Sequence, residues 1–271
     1  MSVINTNVRS LVAQQALTVN NRNLSQAMQQ LSTGKRINSA SDDAAGLAIS
    51  DKMTAQIRGL NQAVRNANDA VSMLQTAEGA TQTVTDMLQR MRELAVQAAN
   101  GTYSSADLTS LNTEYSDLST QIGNIAAQTK WNGKTMLDGT YSASGIAFQV
   151  GTASGDTITV TFSDLSALSG ASADISTASG ASAALTSLDS AIAAVDTFRS
   201  GLGAKINVLN YAADNLTSIS TNTAASRSRI LDTDYGAATT ELARTQIIQQ
   251  AATAMLAQAN QQPQSVLSLL K

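Results

Sequence analysis

The feature that most limits the fold of this chain is a long run of apolar side chains at helical spacing. From Ile57 to Ala98 such residues recur every three or four positions, with one change of phase at Ala77. This spacing predicts a helix of roughly 60 Å, at a rise of 1.5 Å per residue. Because the 271 residues include a single Pro, long stretches of the chain contain no helix breaker.

Other segments carry the same spacing. They include Leu17, Leu24 and Leu31, the segment from Leu108 to Ile125, the segment from Leu185 to Ile219, and the series Leu242, Ile248, Ala252, Met255 and Ala259 before Pro263. Polar residues that favour helix starts stand at Ser41-Asp42-Asp43, Ser104-Ser105 and Asp232-Thr233-Asp234. Because each long helix has one apolar face to bury, we expect neighbouring helices to pack antiparallel.

The middle of the chain has strand spacing instead. Ile146, Phe148 and Val150 precede a turn at Gly155-Asp156, and Ile158, Val160 and Phe162 follow it, which predicts one β-hairpin. The stretch from Ser169 to Ala183 is rich in Ser, Ala and Gly and predicts a loop that buries little. The fold expected is mainly α: a long antiparallel helical rod or coiled-coil bundle with a small central β-hairpin.

Composition excludes several classes of function. The chain has no Cys and no His, which removes disulfides, thiolate and Ser-His-Asp catalysis, and the usual zinc sites. A net charge of -3 with a pI near 4.9 does not favour a nucleic-acid partner. No apolar run reaches the roughly 18 residues of a membrane span. We therefore expect no catalytic site, cofactor or metal, and no nucleic-acid or membrane partner.

The two ends of the chain differ from its middle in charge. Between Met1 and Ser41 there are four basic residues and no acid, and between Thr245 and Leu270 there is no formal charge. Both ends are amphipathic but too weakly apolar to form a core alone. Such segments become ordered when another helix covers their apolar face.

Motifs at both ends resemble those of a known family. Residues 4–7, 31–40 and 42–46 resemble the N-terminal signature of bacterial flagellins, the subunits of the flagellar filament. Residues 228–235, 255–261 and 266–270 resemble the C-terminal signature. Only about fifty residues separate Trp131 from Ala183, so this chain resembles a short flagellin whose outer variable region is reduced.

The resemblance implies a division of the chain into three parts. Residues 1–40 and 236–271 would pair as a filament-core domain, 41–130 and 184–235 would form a helical rod domain, and 131–183 would be the hairpin and its low-complexity connection. The residues expected to carry assembly on the terminal helices are Leu17, Leu24, Leu31, Ile248, Met255, Leu267 and Leu270. Association of identical copies head to tail, by a rotation that does not close, would give an open helical filament.

The resemblance also implies partners and a location. A flagellin is exported unfolded through the flagellar type III apparatus, is held by an export chaperone, and is added to an extracellular filament beneath a cap. Residues 1–7 have neither a basic nor an apolar signal region, so we expect export without a cleaved signal peptide.

Two alternatives remain beside the flagellin interpretation. A hook-filament junction protein has similar ends, although residues 132–139 and 89–97 resemble flagellin more closely. A cytoplasmic coiled-coil signalling protein would account for the helical spacing, but it would have no need of apolar ends without charge.

Two surfaces are further candidates for function. Residues 89–97 resemble the segment through which many flagellins bind the vertebrate toll-like flagellin receptor, with Arg90 and Leu94 on one helix face and Glu114 as a supporting carboxylate. We expect Leu94 to be exposed at the edge of the apolar seam. The hairpin residues Ile158, Val160 and Phe162 are expected to pack on the rod and to adopt two arrangements between neighbouring subunits.

Overall fold

The computed structural model describes residues 6–169 and 174–268. Long helices packed antiparallel dominate it, as predicted. The helices are α1 (Val8–Thr33), α2 (Ala44–Ala98), α3 (Ser105–Gln128), α4 (Ser166–Ser169), α5 (Ala178–Leu231) and α6 (Tyr235–Ser268), and the strands are β1 (Lys130–Trp131), β2 (Lys134–Thr135), β3 (Ile146–Gln149) and β4 (Thr157–Val160). Helix α2 alone has 55 residues, so the long helix expected from the apolar spacing is confirmed.

Polar caps begin α2, α3 and α6 where the sequence predicts them. The carboxylate of Asp43 accepts the Gly46 N–H at 2.8 Å, and that of Asp234 accepts the Gly236 N–H at 2.8 Å. At α3, Ser104 and Asp107 form a reciprocal capping box. The hydrogen bonds that Ser104 donates hold the pKa of Asp107 below its usual value.

Asp42 has a different task from its neighbour Asp43. Its Oδ2 accepts the backbone N–H groups of Asn38 at 3.0 Å and Ser39 at 2.9 Å. These two hydrogen bonds lower the pKa of Asp42 and close the loop between α1 and α2.

The central region contains two hairpins rather than the one predicted. Strands β3 and β4 pair antiparallel, with Ile146 opposite Val160 and Phe148 opposite Ile158, which confirms the expected hairpin. A second pair, β1 and β2, closes around Asn132 and Gly133. Both turn residues have positive φ, the conformation for which Asn-Gly turns are selected. Strands of two residues are too short to leave an alternating pattern.

The expectation of a loop from Ser169 to Ala183 is wrong in its second half. Helix α5 begins at Ala178, and Ile175, Ala181 and Ala184 are completely buried. Alanine is the strongest helix former, so an Ala-rich stretch can join the helix that follows it. Residues 170–173 lie outside the described part.

Helix α6 contains the one proline of the chain. It continues through Pro263 to Ser268. A proline inside a helix removes one backbone hydrogen bond, and the carbonyl released here has another donor, described below.

The chain divides into two compact units. Unit 1 contains Met1–Ala55 and Asn222–Lys271, and unit 2 contains Gln56–Thr221. The limits fall inside α2 and α5, and the hairpins belong to unit 2, so the division differs from the three parts that the resemblance implies.

The apolar core of unit 2 is built from α2, α3, α5 and the hairpin region. Its large buried side chains include Leu74, Leu88, Met91, Leu94, Tyr115, Ile122, Met136, Phe162, Leu188, Val195 and Leu202. Among the described residues of unit 1, the buried set is smaller and more polar, with Asn20, Ala27, Ile37, Ser50, Ala238 and Thr245.

Candidate functional site

The candidate site begins with the pair of terminal helices in unit 1. Helices α1 and α6 contact each other along their length, and a polar side chain lies in the seam. Asn20 is only 6% exposed, and its amide donates to the Thr245 carbonyl at 2.8 Å. The Thr245 hydroxyl donates back along its own helix to the Glu241 carbonyl at 2.8 Å. A buried Asn that finds its partner in one alignment fixes the register of two helices.

Asn7 connects the two helices at their other end. Its side-chain oxygen accepts the Ser10 N–H at 3.1 Å and so caps α1, while its amide donates to the Ala259 carbonyl at 2.8 Å. In an unbroken α-helix that carbonyl would accept the N–H of residue 263, which Pro263 lacks. Asn7 therefore supplies the donor that the proline removes, and α6 can continue past it.

A tight connection between residues 34–36 and 230–235 completes unit 1. Gly34 ends α1 with φ of 68°, and a Cβ there would lie 3.0 Å from the Tyr235 hydroxyl. The Gly34 carbonyl accepts the Thr233 N–H at 3.0 Å. The Arg36 guanidinium donates to the Ile230 carbonyl at 2.7 Å. The signature residues at both ends of the chain thus contact each other.

The outer faces of the terminal helices expose their apolar side chains. Among the side chains of α1 and α6 that the structure describes, the large apolar ones that are exposed are Val8, Leu11, Val12, Val19, Met28, Tyr235, Ile247, Ile248 and Met255. A set of this extent marks an interaction surface in a folded protein.

The residues predicted for assembly fall into three groups in the structure. Leu17, Leu24 and Leu31 are half-buried on α1. Ile248 and Met255 are exposed, Met255 by 65%, whereas Leu242, Ala252 and Ala259 of the same apolar series are half-buried. Thr245, three residues before Ile248, is fully buried on α6. The side chain of Leu267 and the whole of Leu270 lie outside the described residues.

The predicted receptor residues are placed only partly as expected. The Arg90 guanidinium donates to the Glu114 carboxylate at 2.8 Å and to that of Glu93 at 3.1 Å, and these bonds raise the pKa of Arg90. All three side chains are exposed. Leu94, in contrast, is 1% exposed, so its expected exposure is wrong.

The burial of Leu94 has a simple geometric cause. Helix α2 contributes to one core together with α3 and α5, and a helix with two neighbours buries a wider stripe than a helix with one. Leu94 and Ala95, although adjacent in sequence, are therefore both buried.

The predicted hairpin packs as expected. Val160 and Phe162 are buried in the unit 2 core, and the half-buried Ile158 contacts it. The Asn66 amide of α2 donates to the Gln149 carbonyl at 3.0 Å, which fixes β3 to the helix. A few side chains therefore hold the hairpin against the core of unit 2.

Neither a metal site nor a membrane-spanning helix is found in the described part of the chain. Within residues 6–169 and 174–268, no three acidic, His or Cys side chains are grouped closely enough to bind a metal ion. Among the helices of the same residues, none combines the length and hydropathy that crossing a membrane requires.

Comparison with known proteins gives matches to both ends of the chain. Residues 4–142 match the bacterial flagellin N-terminal helical region, and residues 185–270 match the bacterial flagellin C-terminal helical region. A flagellin of Halalkalibacterium halodurans is 46% identical over 273 residues, covering 99% of this chain and 100% of that protein. The flagellar filament 30.7 kDa core protein of Treponema maltophilum is 40% identical over 283 residues, covering 99% of both.

A solved structure agrees with these matches. The crystal structure of Bacillus cereus flagellin is 38% identical, with a TM-score of 0.53, over 60% of this chain and 94% of that one. The terminal signatures that meet in unit 1 are thus accompanied by similarity over the full length. The chain belongs to the bacterial flagellin family, the structural subunits of the flagellar filament.

Proposed function

We propose that copies of this chain polymerise head to tail through the outer faces of α1 and α6, which then form the core of an extracellular flagellar filament. One observation carries the proposal: the fully buried side chains of the terminal pair are small or polar, whereas many of its large apolar side chains are exposed. Covering those side chains with a neighbouring copy would remove apolar area from water, at about 25 cal/mol per Å². The free energy that holds the filament together would come from this burial.

The relatives do not favour the two alternatives. Both named relatives are filament proteins, neither a junction protein nor a cytoplasmic signalling protein. A heterologous contact between two different surfaces, repeated by a rotation that does not close, gives an open helix rather than a ring.

The experiment is polymerisation of the purified chain by salting-out, observed by negative-stain electron microscopy. Long uniform filaments are expected from the unmodified chain. Val12→Glu and Ile247→Glu place a charge on the outer faces and should leave a folded monomer without filaments. Gln14→Glu adds the same charge at an exposed position of α1 on the side away from Val8, Leu11, Val12 and Val19 and serves as the control. Soluble dimers from the unmodified chain, or filaments from both face variants, would contradict the proposal.

The flagellar type III export apparatus, an export chaperone and a filament cap are further proposed partners. Family membership supports them, and so does the seam between α1 and α6, whose fully buried side chains are small or polar. Export of the chain without cleavage is checked by measuring the intact mass of subunits sheared from cells, which should include the residues of the N-terminal signature.

The Arg90 face is proposed to bind the toll-like flagellin receptor when the subunit is monomeric. The ion pairs of Arg90 with Glu93 and Glu114 support this, because they hold the guanidinium in one exposed position. Arg90→Ala should cost about 1 to 3 kcal/mol of receptor binding, whereas Lys52→Ala, far along α2, should cost nothing. Leu94 would act only by supporting the helix from inside. An unmodified monomer that fails to bind at micromolar concentration would end the proposal.

The hairpin is proposed to be the element that changes packing when filaments change shape. Its small contact area supports two arrangements of similar energy. Ile158→Val removes one methylene from that contact and should alter filament waveform while the free energy of unfolding falls by about 0.5 to 1.5 kcal/mol. Thr157→Ser, on the exposed side of β4, is the control. An unchanged waveform with this loss of stability would make the hairpin purely structural.

A further inference from the structure

Methionine carries all the sulfur of this chain. The sequence contains eight Met and no Cys, so no thiol competes with the thioethers for an oxidant. A peroxide transfers one oxygen atom to a thioether, and the flexible apolar side chain becomes a polar sulfoxide. Because this reaction is faster at exposed sulfur atoms, the burial of each methionine predicts which of them are modified.

The described methionines fall into three classes of exposure. Met28 on α1 and Met255 on α6 are exposed, by 52% and 65%. Met53 and Met87 on α2 are half-buried. The other described methionines lie in the core of unit 2 with exposures of 3% or less, and they are Met73, Met91 and Met136. Both exposed methionines therefore belong to the terminal helices, whereas those that stabilise unit 2 are enclosed.

Met28 lies at the border of the seam between α1 and α6. Leu24 precedes it by four residues and Leu31 follows it by three, so the three side chains share one side of α1. The two leucines are half-buried, and Ala27, the next residue, is 4% exposed. The thioether of Met28 therefore extends the apolar surface of the seam into solvent.

Met255 has the same kind of position on α6. Ala252 precedes it by three residues and Ala259 follows it by four, and both are half-buried. Ile248, two turns earlier, is 41% exposed. No residue between Thr245 and Leu270 carries a formal charge, so a neighbouring copy can cover this border without burying an ion.

A sulfoxide at either position would affect assembly more than folding. In the monomer its oxygen remains in water, and a change at an exposed position alters stability little. Under a neighbouring copy the same oxygen would lose its hydrogen bonds to water, and burying a polar group without a partner is unfavourable.

We propose that Met28 and Met255 are sites of oxidation by peroxides, and that their sulfoxides prevent a monomer from joining a filament. This inference rests on the proposed polymerisation through α1 and α6. With hydrogen peroxide, the sulfur gives up two electrons, an S–O bond forms, the O–O bond breaks, and water leaves. Methionine sulfoxide reductases reverse the modification, because their thiols become a disulfide while the sulfoxide oxygen leaves as water.

The first experiment measures where the chain is oxidised. Unmodified monomers and preformed filaments are treated with hydrogen peroxide, and the sulfoxide content of each peptide is followed by mass spectrometry. In monomers, Met28 and Met255 should react at least about tenfold faster than the three core methionines, with the half-buried pair between them. In filaments, both terminal methionines should react as slowly as the core ones.

The second experiment measures the effect on assembly. Oxidised monomers should require a critical concentration about tenfold higher than untreated ones, with an unchanged melting temperature. Treatment with the two methionine sulfoxide reductases, one for each epimer, and dithiothreitol should restore the original value.

Two double variants identify the methionines responsible. Met28→Leu with Met255→Leu keeps an apolar side chain of similar volume at both positions and should form filaments equally well before and after peroxide. Met53→Leu with Met87→Leu is the matched control, and peroxide should impair its assembly as it does that of the unmodified chain.

The outcomes separate the oxidation sites from polymerisation itself. Equal oxidation of the terminal methionines in monomers and filaments, or peroxide impairment that persists in Met28→Leu with Met255→Leu, would overturn the inference and leave the proposed function intact. A lower melting temperature of the oxidised monomer would show an effect on folding and would also overturn it. Failure of the untreated chain to form filaments would instead overturn the proposed function, and the order of oxidation rates in the monomer would still test the two sites.

Discussion

The two units of this molecule place their apolar side chains in opposite ways. Unit 2 encloses Leu88, Met91, Tyr115 and Ile122 in a core shared by three helices. Unit 1 has Asn20, Thr245 and small residues fully buried, half-buries Leu17, Leu24 and Leu31, and exposes many of its other large apolar side chains. Both units are helical, so the difference does not lie in secondary structure.

This difference in apolar burial indicates that one unit stabilises the folded monomer and the other stabilises the assembly. Apolar area enclosed within one chain contributes to that chain's own stability, whereas area left outside contributes only when another molecule covers it. We infer that unit 2 provides the stability of the monomer and that most of the stability of unit 1 comes from its neighbours. The predictions below test this contrast.

Equivalent leucines in the two units should respond very differently to truncation. Leu94→Ala removes a fully buried side chain of unit 2 and should lower the free energy of unfolding by about 2 to 5 kcal/mol. Leu24→Ala, at a half-buried position of α1, should cost the monomer less than about 1 kcal/mol. Urea denaturation of both monomers measures this. Equal losses would show that unit 1 has a stable core of its own.

The hydrogen bond in the seam of unit 1 should stabilise α1 and α6 alone. Asn20→Ala removes the bond to Thr245 and should cost about 1 to 2 kcal/mol locally. Amide exchange should quicken in α1 and α6 and stay unchanged in unit 2. Asn23→Ala, at an exposed position of the same helix, provides the reference. Faster exchange throughout unit 2 would show that the stability of unit 2 depends on the seam of unit 1, which would contradict the contrast between the units.

The link between Asn7 and Pro263 predicts two mutations that compensate each other. Asn7→Asp keeps an oxygen to cap α1 but loses the amide that reaches the Ala259 carbonyl, and should cost about 0.5 to 1.5 kcal/mol in the terminal pair. Pro263→Ala restores a backbone N–H for that carbonyl, so the double variant should lose less than Asn7→Asp does. Amide exchange of α6 measures each effect. Strictly additive effects would contradict the link.

The smallest expected effect is on acid stability. Because hydrogen bonds from the backbone of Asn38 and Ser39 lower the pKa of Asp42 below 3.8, its contribution is present above that pH and is lost as the pH falls through the lowered value. Asp42→Asn should therefore reduce the fall of melting temperature on acidification. Asp51→Asn, exposed on α2, should not. Identical acid profiles for Asp42→Asn and the unmodified chain would contradict this role.

The sequence predicts secondary structure best where the two faces of a helix or strand differ sharply in polarity. The apolar spacing of α2, the caps at Asp43 and Ser104, and the alternation of β3 and β4 each give a strong local signal, and all of them are confirmed. In α6 the signal is weak, because a segment of Ala, Gln, Ile and Thr without charge has little contrast between its faces. Its inner side could not be identified from spacing alone.

The other errors arise from contacts that a single pattern does not contain. Leu94 is buried because a second helix covers α2, and no spacing within α2 reports the number of its neighbours. The start of α5 is hidden because Ser, Ala and Gly resemble a loop in composition. The passage of α6 through Pro263 depends on a contact of the same kind, because the compensating donor, Asn7, lies 252 residues from its acceptor Ala259.

The hydrogen bond between Asn20 and Thr245 also has a consequence for the order of folding. Its partners are 225 residues apart, so forming it from an open chain would close a very long loop, and contacts of that range form slowly. Once Asn61 and Ser220 are in contact within unit 2, the loop that remains to be closed contains only the residues between Asn20 and Asn61 and those between Ser220 and Thr245. We therefore expect the two ends to meet last, after the rest of the subunit has become compact.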